Sequence, residues 1–111
     1  MNWIALTNEE QLQQIILNSN KKPQLIFKHS TRCSISSMAK NRLERSKQPG
    51  EVDFYFLDLI KYRTLSNRIS ENFSVYHQSP QVLLIKNGEC IYDESHSGIE
   101  MEEIVDQAMV A

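Results

Sequence analysis

Cys33 lies where the sequence changes from an apolar run to a segment with helical spacing. The run at 24–28 reads Gln-Leu-Ile-Phe-Lys, and apolar residues recur three or four positions apart after residue 34. The first N–H groups of a helix are unpaired and carry partial positive charge. A thiol at that position ionises more easily, and the thiolate is the reactive form. The pattern therefore predicts that Cys33 is a nucleophile, with Arg32 adding positive charge beside it.

Ser36 stands three residues after Cys33, where a redox dithiol would carry its second cysteine. The site is therefore predicted to use a single thiol, with Ser36 placed to donate a hydrogen bond to the thiolate. The alternatives are that Ser36 is an ordinary first-turn residue and that Arg32 is a solvated surface cation. A third is that Cys33 is an inert buried thiol, although its polar neighbours Thr31 and Ser34 argue against that.

The elements that must position Cys33 follow the order α-β-α-β-α-β-β-α. Thr7 and Glu10 have the form of a capping box for the first helix, and Asn87-Gly88 suits a type I′ hairpin turn. Strands are predicted near 25–27, 52–59, 82–85 and 90–92. The charged residues after Cys33, among them Arg42, lie mostly outside the apolar helical face. The expected class is α/β, with one domain at 1–111 and a mixed four-stranded sheet flanked by helices.

The second cysteine, Cys90, follows the predicted hairpin turn. A strand of five or six residues carries the chain about 17–20 Å, which puts Cys90 at the end of the sheet opposite Cys33. A disulfide needs Cα atoms within about 7 Å. We therefore expect that Cys90 does not resolve a disulfide on Cys33 of the same molecule.

Composition excludes several classes of function. The net charge of −2 gives no electrostatic case for nucleic acid or an acidic membrane surface. No stretch approaches the roughly 20 apolar residues of a membrane span. The cysteines and the three scattered histidines lack metal-ligand spacing, so no metal site is expected. These features favour a cytoplasmic protein, and the sequence leaves its oligomeric state open.

A resemblance to a known family rests on the stretch 29–39, His-Ser-Thr-Arg-Cys-Ser-Ile-Ser-Ser-Met-Ala. It is similar to the monothiol bacilliredoxins, whose usual motif is Thr-Cys-Pro-Ile-Ser, and the element order resembles the thioredoxin fold. This sequence departs from the motif at Arg32, which lies between Thr31 and Cys33, and at Ser34, where proline is usual. Phe27 occupies the position at which thioredoxins carry a buried acid, which favours simple thiol exchange.

The resemblance implies removal of bacillithiol, or a similar small thiol, from S-bacillithiolated client proteins. The small thiol would be a co-substrate, with no tightly bound cofactor. Thr31 and Ser34 would line the substrate site, and Ser79-Pro80 would be a cis bond whose backbone docks the client. Ser97 and Gly98 would hold a carboxylate of the small thiol on helix N-terminal amides. Two other functions remain open: a non-catalytic thioredoxin-like interaction module and a thiol-based peroxide or redox sensor.

Overall fold

Strands and helices alternate along the chain in the computed structural model, which describes residues 1–110. The strands are β1 Ile4–Ala5, β2 Gln24–His29, β3 Asp53–Asp58, β4 Gln81–Lys86 and β5 Glu89–Ser95. The helices are α1 Glu9–Asn18, α2 Ser34–Glu44, α3 Arg63–Phe73 and α4 Met101–Ala108, and a 3-10 turn, His96–Gly98, precedes α4. The predicted α/β class is confirmed.

The sheet has five strands in the order β1-β3-β2-β4-β5, rather than the four predicted. The additional strand, β1, pairs in parallel with β3 through Ile4 and Ala5. Two residues are too few to show strand periodicity, which is why the sequence did not reveal it. β2 runs parallel to β3 and antiparallel to β4, and β5 returns antiparallel to β4.

Two apolar cores cover the two faces of this sheet. Leu25 and Phe27 of β2 face α2 and α4, whereas Ile26 faces α1 and α3. The alternation follows from the two-residue repeat of a strand, which sends successive side chains to opposite faces. β2 therefore lies at the centre of the molecule, and all six of its residues are buried.

The first helix starts one residue later than the predicted capping box indicates. Asn8 caps α1 instead of Thr7, because its Oδ1 atom accepts from Gln11 N at 2.9 Å. Thr7 N instead donates to Gln11 Oε1 at 2.7 Å. The last helix begins at Met101 with Glu100 as its N-cap residue.

The β4–β5 hairpin turns through Asn87 and Gly88, whose φ angles of 53° and 78° agree with the predicted type I′ turn. The register of β2, β4 and β5 shows which strand ends lie together. The strands begin and finish at two opposite ends of the sheet, and we use the word edge for each of these ends. Lys28 lies beside Gln81, which lies beside Ser95, and this is the edge from which the chain proceeds to Cys33. We call it the active edge.

Candidate functional site

Cys33 is the N-cap residue of α2. Its backbone is extended, with φ −114° and ψ 118°, and its carbonyl accepts the first helical hydrogen bond from Ser37 N at 3.1 Å. Its side chain makes no capping hydrogen bond, and the residue is half-buried. The sulfur therefore lies at the positive end of the helix without being used to cap it.

Polar and cationic residues surround Cys33. The first turn of α2 contains no acidic residue. Arg32 is exposed immediately before the cysteine, and Thr31 and Ser34 are exposed on either side. The predicted position of the thiol at a strand–helix junction is therefore present, with polar and cationic neighbours around it.

Ser36 is not oriented as predicted. Its side chain is fully buried, and its Oγ atom lies 2.6 Å from His29 Nδ1 and accepts from Ser30 N at 3.0 Å. The side-chain hydrogen bonds of Ser36 thus connect α2 to the end of β2, and the expected donation to the Cys33 thiolate is absent from this geometry. Ser36 instead fixes the loop that carries Cys33.

His29 is the partner of Ser36 that sequence reasoning missed. The pKa of His29 is lowered, mainly because the ring is buried, and the positive charge of Lys40 lowers it further. The ring packs against Phe56, with centroids 5.2 Å apart. Because Ser36 Oγ already accepts from Ser30 N, its proton is free to be donated to the neutral imidazole. The sequence signal for this contact was a histidine at the end of a strand, followed seven residues later by a serine.

The Ser79–Pro80 bond is cis, as the resemblance implied. Pro80 is buried, and its carbonyl accepts from His96 N at 3.1 Å. The hydroxyl oxygen of Ser79 is buried and has no hydrogen-bond partner in the described part of the chain. The active edge therefore brings together the end of β2, Ser79–Pro80 and the 3-10 turn.

A groove of about 290 Å³ lies between α2 and the 3-10 turn. Ile35 and Met38 contribute exposed apolar surface, with 51% and 61% of each residue accessible. The groove is lined by Ile35, Met38, Arg42, His96 and Ser97.

Arg42 has a structural role in this groove that the sequence did not indicate. Its Nε atom donates to Ile99 O at 2.9 Å, and Nη2 donates to His96 O at 3.0 Å. The guanidinium group thus holds the chain around the 3-10 turn against α2. The prediction had assigned Arg42 to the solvated side of the helix.

The start of α4, where the resemblance implied a carboxylate site, carries acidic side chains. Glu100 occupies the N-cap position of this helix without a side-chain capping bond, and Glu102 and Glu103 occupy its first turn. Acidic side chains at a helix N-terminus repel a second anion. A Cβ atom at Gly98 would lie 2.5 Å from Cδ of Glu94, so the flexible Glu94 side chain would have to move. Of the predicted pair, Ser97 faces the groove and Gly98 accommodates Glu94.

Cys90 lies at the edge of the sheet opposite the active edge, as predicted. It pairs with Ile85, which pairs with Gln24 at the start of β2. Burial is the main cause that raises the pKa of the Cys90 thiol to about 11. Both cysteines are free thiols.

Residues 1–110 contain neither a metal-binding cluster nor a membrane-spanning helix. In that range no group of three His, Cys, Asp or Glu side chains is placed to hold a metal ion. Across the same residues, no helix has the length and apolar character needed to cross a membrane.

Comparisons with known proteins agree with this geometry. A family model described as monothiol bacilliredoxin matches residues 4–104. A solved structure described as a proposed oxidoreductase with a thioredoxin fold is 29% identical, with a TM-score of 0.81 over 94% of this chain and 91% of that chain. Thioredoxin from Malassezia sympodialis is 18% identical, with a TM-score of 0.77 over 96% and 91% of the two chains. Thioredoxin from Fasciola hepatica is also 18% identical, with a TM-score of 0.74 over 93% and 97%. The fold is therefore that of thioredoxin.

Proposed function

The chain belongs to the monothiol bacilliredoxin family, and from this premise we propose that it removes bacillithiol from protein mixed disulfides through Cys33 alone. Membership and fold make it a thiol redox protein. The observation that carries the finer proposal is the position of Cys33: a half-buried N-cap thiol, with serine one turn later and the other thiol at the opposite edge. A nucleophile with no neighbouring thiol to resolve it suits a single-thiol mechanism.

The reaction is an exchange of sulfur partners. The Cys33 thiolate attacks the bacillithiol sulfur of the mixed disulfide, and a new bond forms between these two sulfur atoms as the old disulfide breaks. The client leaves as a thiolate, and bacillithiol remains on Cys33. A second small thiol then attacks this bond, restores the Cys33 thiolate and leaves as a small-thiol disulfide. Each step needs only thiols and disulfides, so no bound cofactor takes part.

The non-reacting part of bacillithiol is proposed to lie in the groove between α2 and the 3-10 turn. Ile35 and Met38 offer apolar contact near Cys33, and Ser97 offers a hydroxyl group. Arg42 keeps N–H donors beyond its two bonds to the backbone, which suits an anionic thiol. The acidic first turn of α4 directs the anionic part of the ligand away from that helix and toward Arg42.

The client is proposed to dock along Ser79 and Pro80, next to the 3-10 turn that borders the groove. The position of this segment supports the proposal, because Pro80 O accepts from His96 N at 3.1 Å at the active edge, and an extended client can add hydrogen bonds along an exposed backbone. Thr31, Arg32 and Ser34 are exposed next to the sulfur and would contact the client first. We place the activity in the cytoplasm, where thiols are kept reduced.

A panel of capped substrates tests this proposal. One reporter protein with a single cysteine is capped with bacillithiol, glutathione or cysteine, and the release of each cap is timed. We expect removal of bacillithiol to be about tenfold faster than removal of the other two, because groove contacts discriminate the non-reacting part of the ligand. Met38→Glu should reduce this preference, since it places a carboxylate in the groove.

The matched control is Met109→Glu, which introduces the same charge on a methionine of similar exposure, 64%, near the opposite edge of the sheet. It should leave the preference unchanged. Equal rates for the three caps would contradict the assignment of bacillithiol. A faster reaction of Cys33 with hydrogen peroxide than with any cap would favour a redox sensor, and an unreactive Cys33 would favour an interaction module.

A further inference from the structure

Lys28 is a fully buried lysine at the active edge that the exchange reaction does not use. It is the fifth residue of β2, with Leu57 and Gln81 as its neighbours on β3 and β4. None of the carboxylates in residues 1–110 forms a salt bridge with it. A buried lysine without an anionic partner is unusual in a folded protein, because removing the charge from water is unfavourable.

The ammonium group of Lys28 has three neutral partners. It donates to Ser66 O at 3.1 Å and to Ser70 Oγ at 2.8 Å, both on α3, and it lies 3.3 Å from His77 Nδ1. The first two contacts attach β2 to a helix that also packs through its apolar face. The third reaches the irregular segment 74–80, which ends in Ser79–Pro80.

A second buried polar side chain holds the same segment. Gln81 lies beside Lys28 in the sheet and is 1% exposed. Its Nε2 atom donates to Tyr76 O at 3.0 Å, and its Oε1 atom accepts from Gln78 N at 3.4 Å. Adjacent residues of β2 and β4 thus bind three consecutive residues, 76–78, immediately before the proposed docking bond.

We propose that Lys28 is a positioning residue for client docking: through His77 its buried ammonium group holds residues 76–78 so that Ser79 and Pro80 are presented to the client. This inference rests on the proposed function for its docking step. Lys28 does not touch the reacting sulfur atoms in this account. It acts on the affinity for the client and not on the nucleophile.

Lys28 can donate all three of these hydrogen bonds in one combination of protonation states. Lys28 must be an ammonium ion to donate three hydrogen bonds, and His77 must be neutral to accept at Nδ1. Burial lowers the pKa of Lys28 to about 8. Burial is also the main cause that lowers the pKa of His77, and the charges of Lys28 and Arg63 lower it further. The other side chains facing Lys28, from Leu57, Ser66, Ser70 and Gln81, carry no charge.

The pH dependence follows from these states. As pH rises through about 8, Lys28 loses a proton and its charge. Its charge-assisted hydrogen bonds then become weaker neutral ones, and the contact with His77 requires the ring to change tautomer. As pH falls through the lowered pKa of His77, Nδ1 gains a proton and faces a second cation. The segment is therefore held between these two limits, and the KM for a capped client should rise outside them.

The lowered pKa of Lys28 also has a consequence for the stability of the folded chain. Its folded-state pKa lies below the ordinary value of 10.5, so the folded chain binds this proton less tightly than the unfolded chain. Its contribution to stability therefore decreases as pH falls from 10.5 to about 8 and is constant below that range. Lys28→Met removes this disadvantage with a side chain of similar length, so its urea midpoint at pH 7 should be no lower than that of the wild type.

The test combines kinetics with side-chain titration. His77→Ala should raise the KM for a capped client about tenfold, with kcat and alkylation of Cys33 by a small reagent within about twofold. His77→Asn retains an acceptor near the Nδ1 position and should restore most of the lost affinity, while removing the acid limb of the KM profile. Lys28→Met should raise KM equally, and the double variant should show no further rise. Glu71→Ala, an exposed change on α3, is the control.

Nitrogen-15 NMR of the His77 ring gives a readout that does not depend on activity. The pKa of His77 should increase in Lys28→Met, because a neighbouring positive charge is lost. An unchanged His77 titration, or an unchanged KM in His77→Ala, would overturn the inference. A wild-type protein that removes no cap would instead defeat the proposed function and with it the docking step, whereas the NMR result would still decide whether Lys28 holds His77.

Discussion

Replacing Cys33 with serine is expected to abolish removal of a small-thiol cap, whereas Cys90→Ser retains activity within about twofold. The first change removes the atom that forms the new disulfide, and loss of a nucleophile reduces a rate about a thousandfold or more. The second alters a thiol at the opposite edge of the sheet, beside Ile85. Release of the cap from a reporter protein, measured at matched concentrations of the two variants, checks both expectations.

The geometry makes the contrast informative. Cys90 Sγ lies 3.3 Å from the backbone oxygen of Tyr92, and serine can make the same contact. A folding defect would appear as a lower urea midpoint and would be distinguished from a catalytic one. Comparable losses of activity in two well-folded variants would contradict a single-thiol mechanism and would assign Cys90 a part in resolving the intermediate.

Alkylation should distinguish the two thiols nearly as strongly. Burial raises the pKa of Cys90 to about 11, so at pH 8 only about one molecule in a thousand carries its thiolate. Cys33 is half-buried at the positive end of α2. With limiting iodoacetamide we expect Cys33 to react about a hundredfold faster or more, as measured by mass spectrometry of the tryptic peptides.

Unfolding supplies the control for this selectivity. In concentrated urea the burial of Cys90 is lost, so the two rates should approach each other to within several-fold. Comparable rates in the folded protein would refute the claim that the fold makes Cys33 the reactive thiol.

The strand–helix alternation and the place of Cys33 could be predicted because both depend on local pattern. An apolar run followed by helical spacing determines where a helix begins, and Cys33 lies at that strand–helix junction as predicted, in the N-cap position of α2. The distance of Cys90 from the site followed from strand length and a two-residue turn. Such predictions need no knowledge of how side chains pack.

What the sequence did not predict depends on which neighbour a polar group finds. Ser36 has the spacing to reach Cys33, yet the buried His29 lies 2.6 Å away and the serine hydroxyl bonds there. Lys28 ends an apolar run and gave no sign that a helix and the segment before Pro80 would both bind its ammonium group. Arg42 likewise bonds to backbone carbonyls that lie far from it in sequence. Each contact joins residues more than five positions apart through tertiary packing.

The most direct test of the account is the identity of the species left on Cys33 after one turnover. The protein is mixed with an equal amount of a bacillithiol-capped client, the reaction is stopped with acid, and intact masses are recorded. We expect Cys33 to carry the mass of bacillithiol and the client to appear as a free thiol. A covalent complex of the two proteins, or a client that keeps its cap while Cys33 stays unmodified, would contradict it.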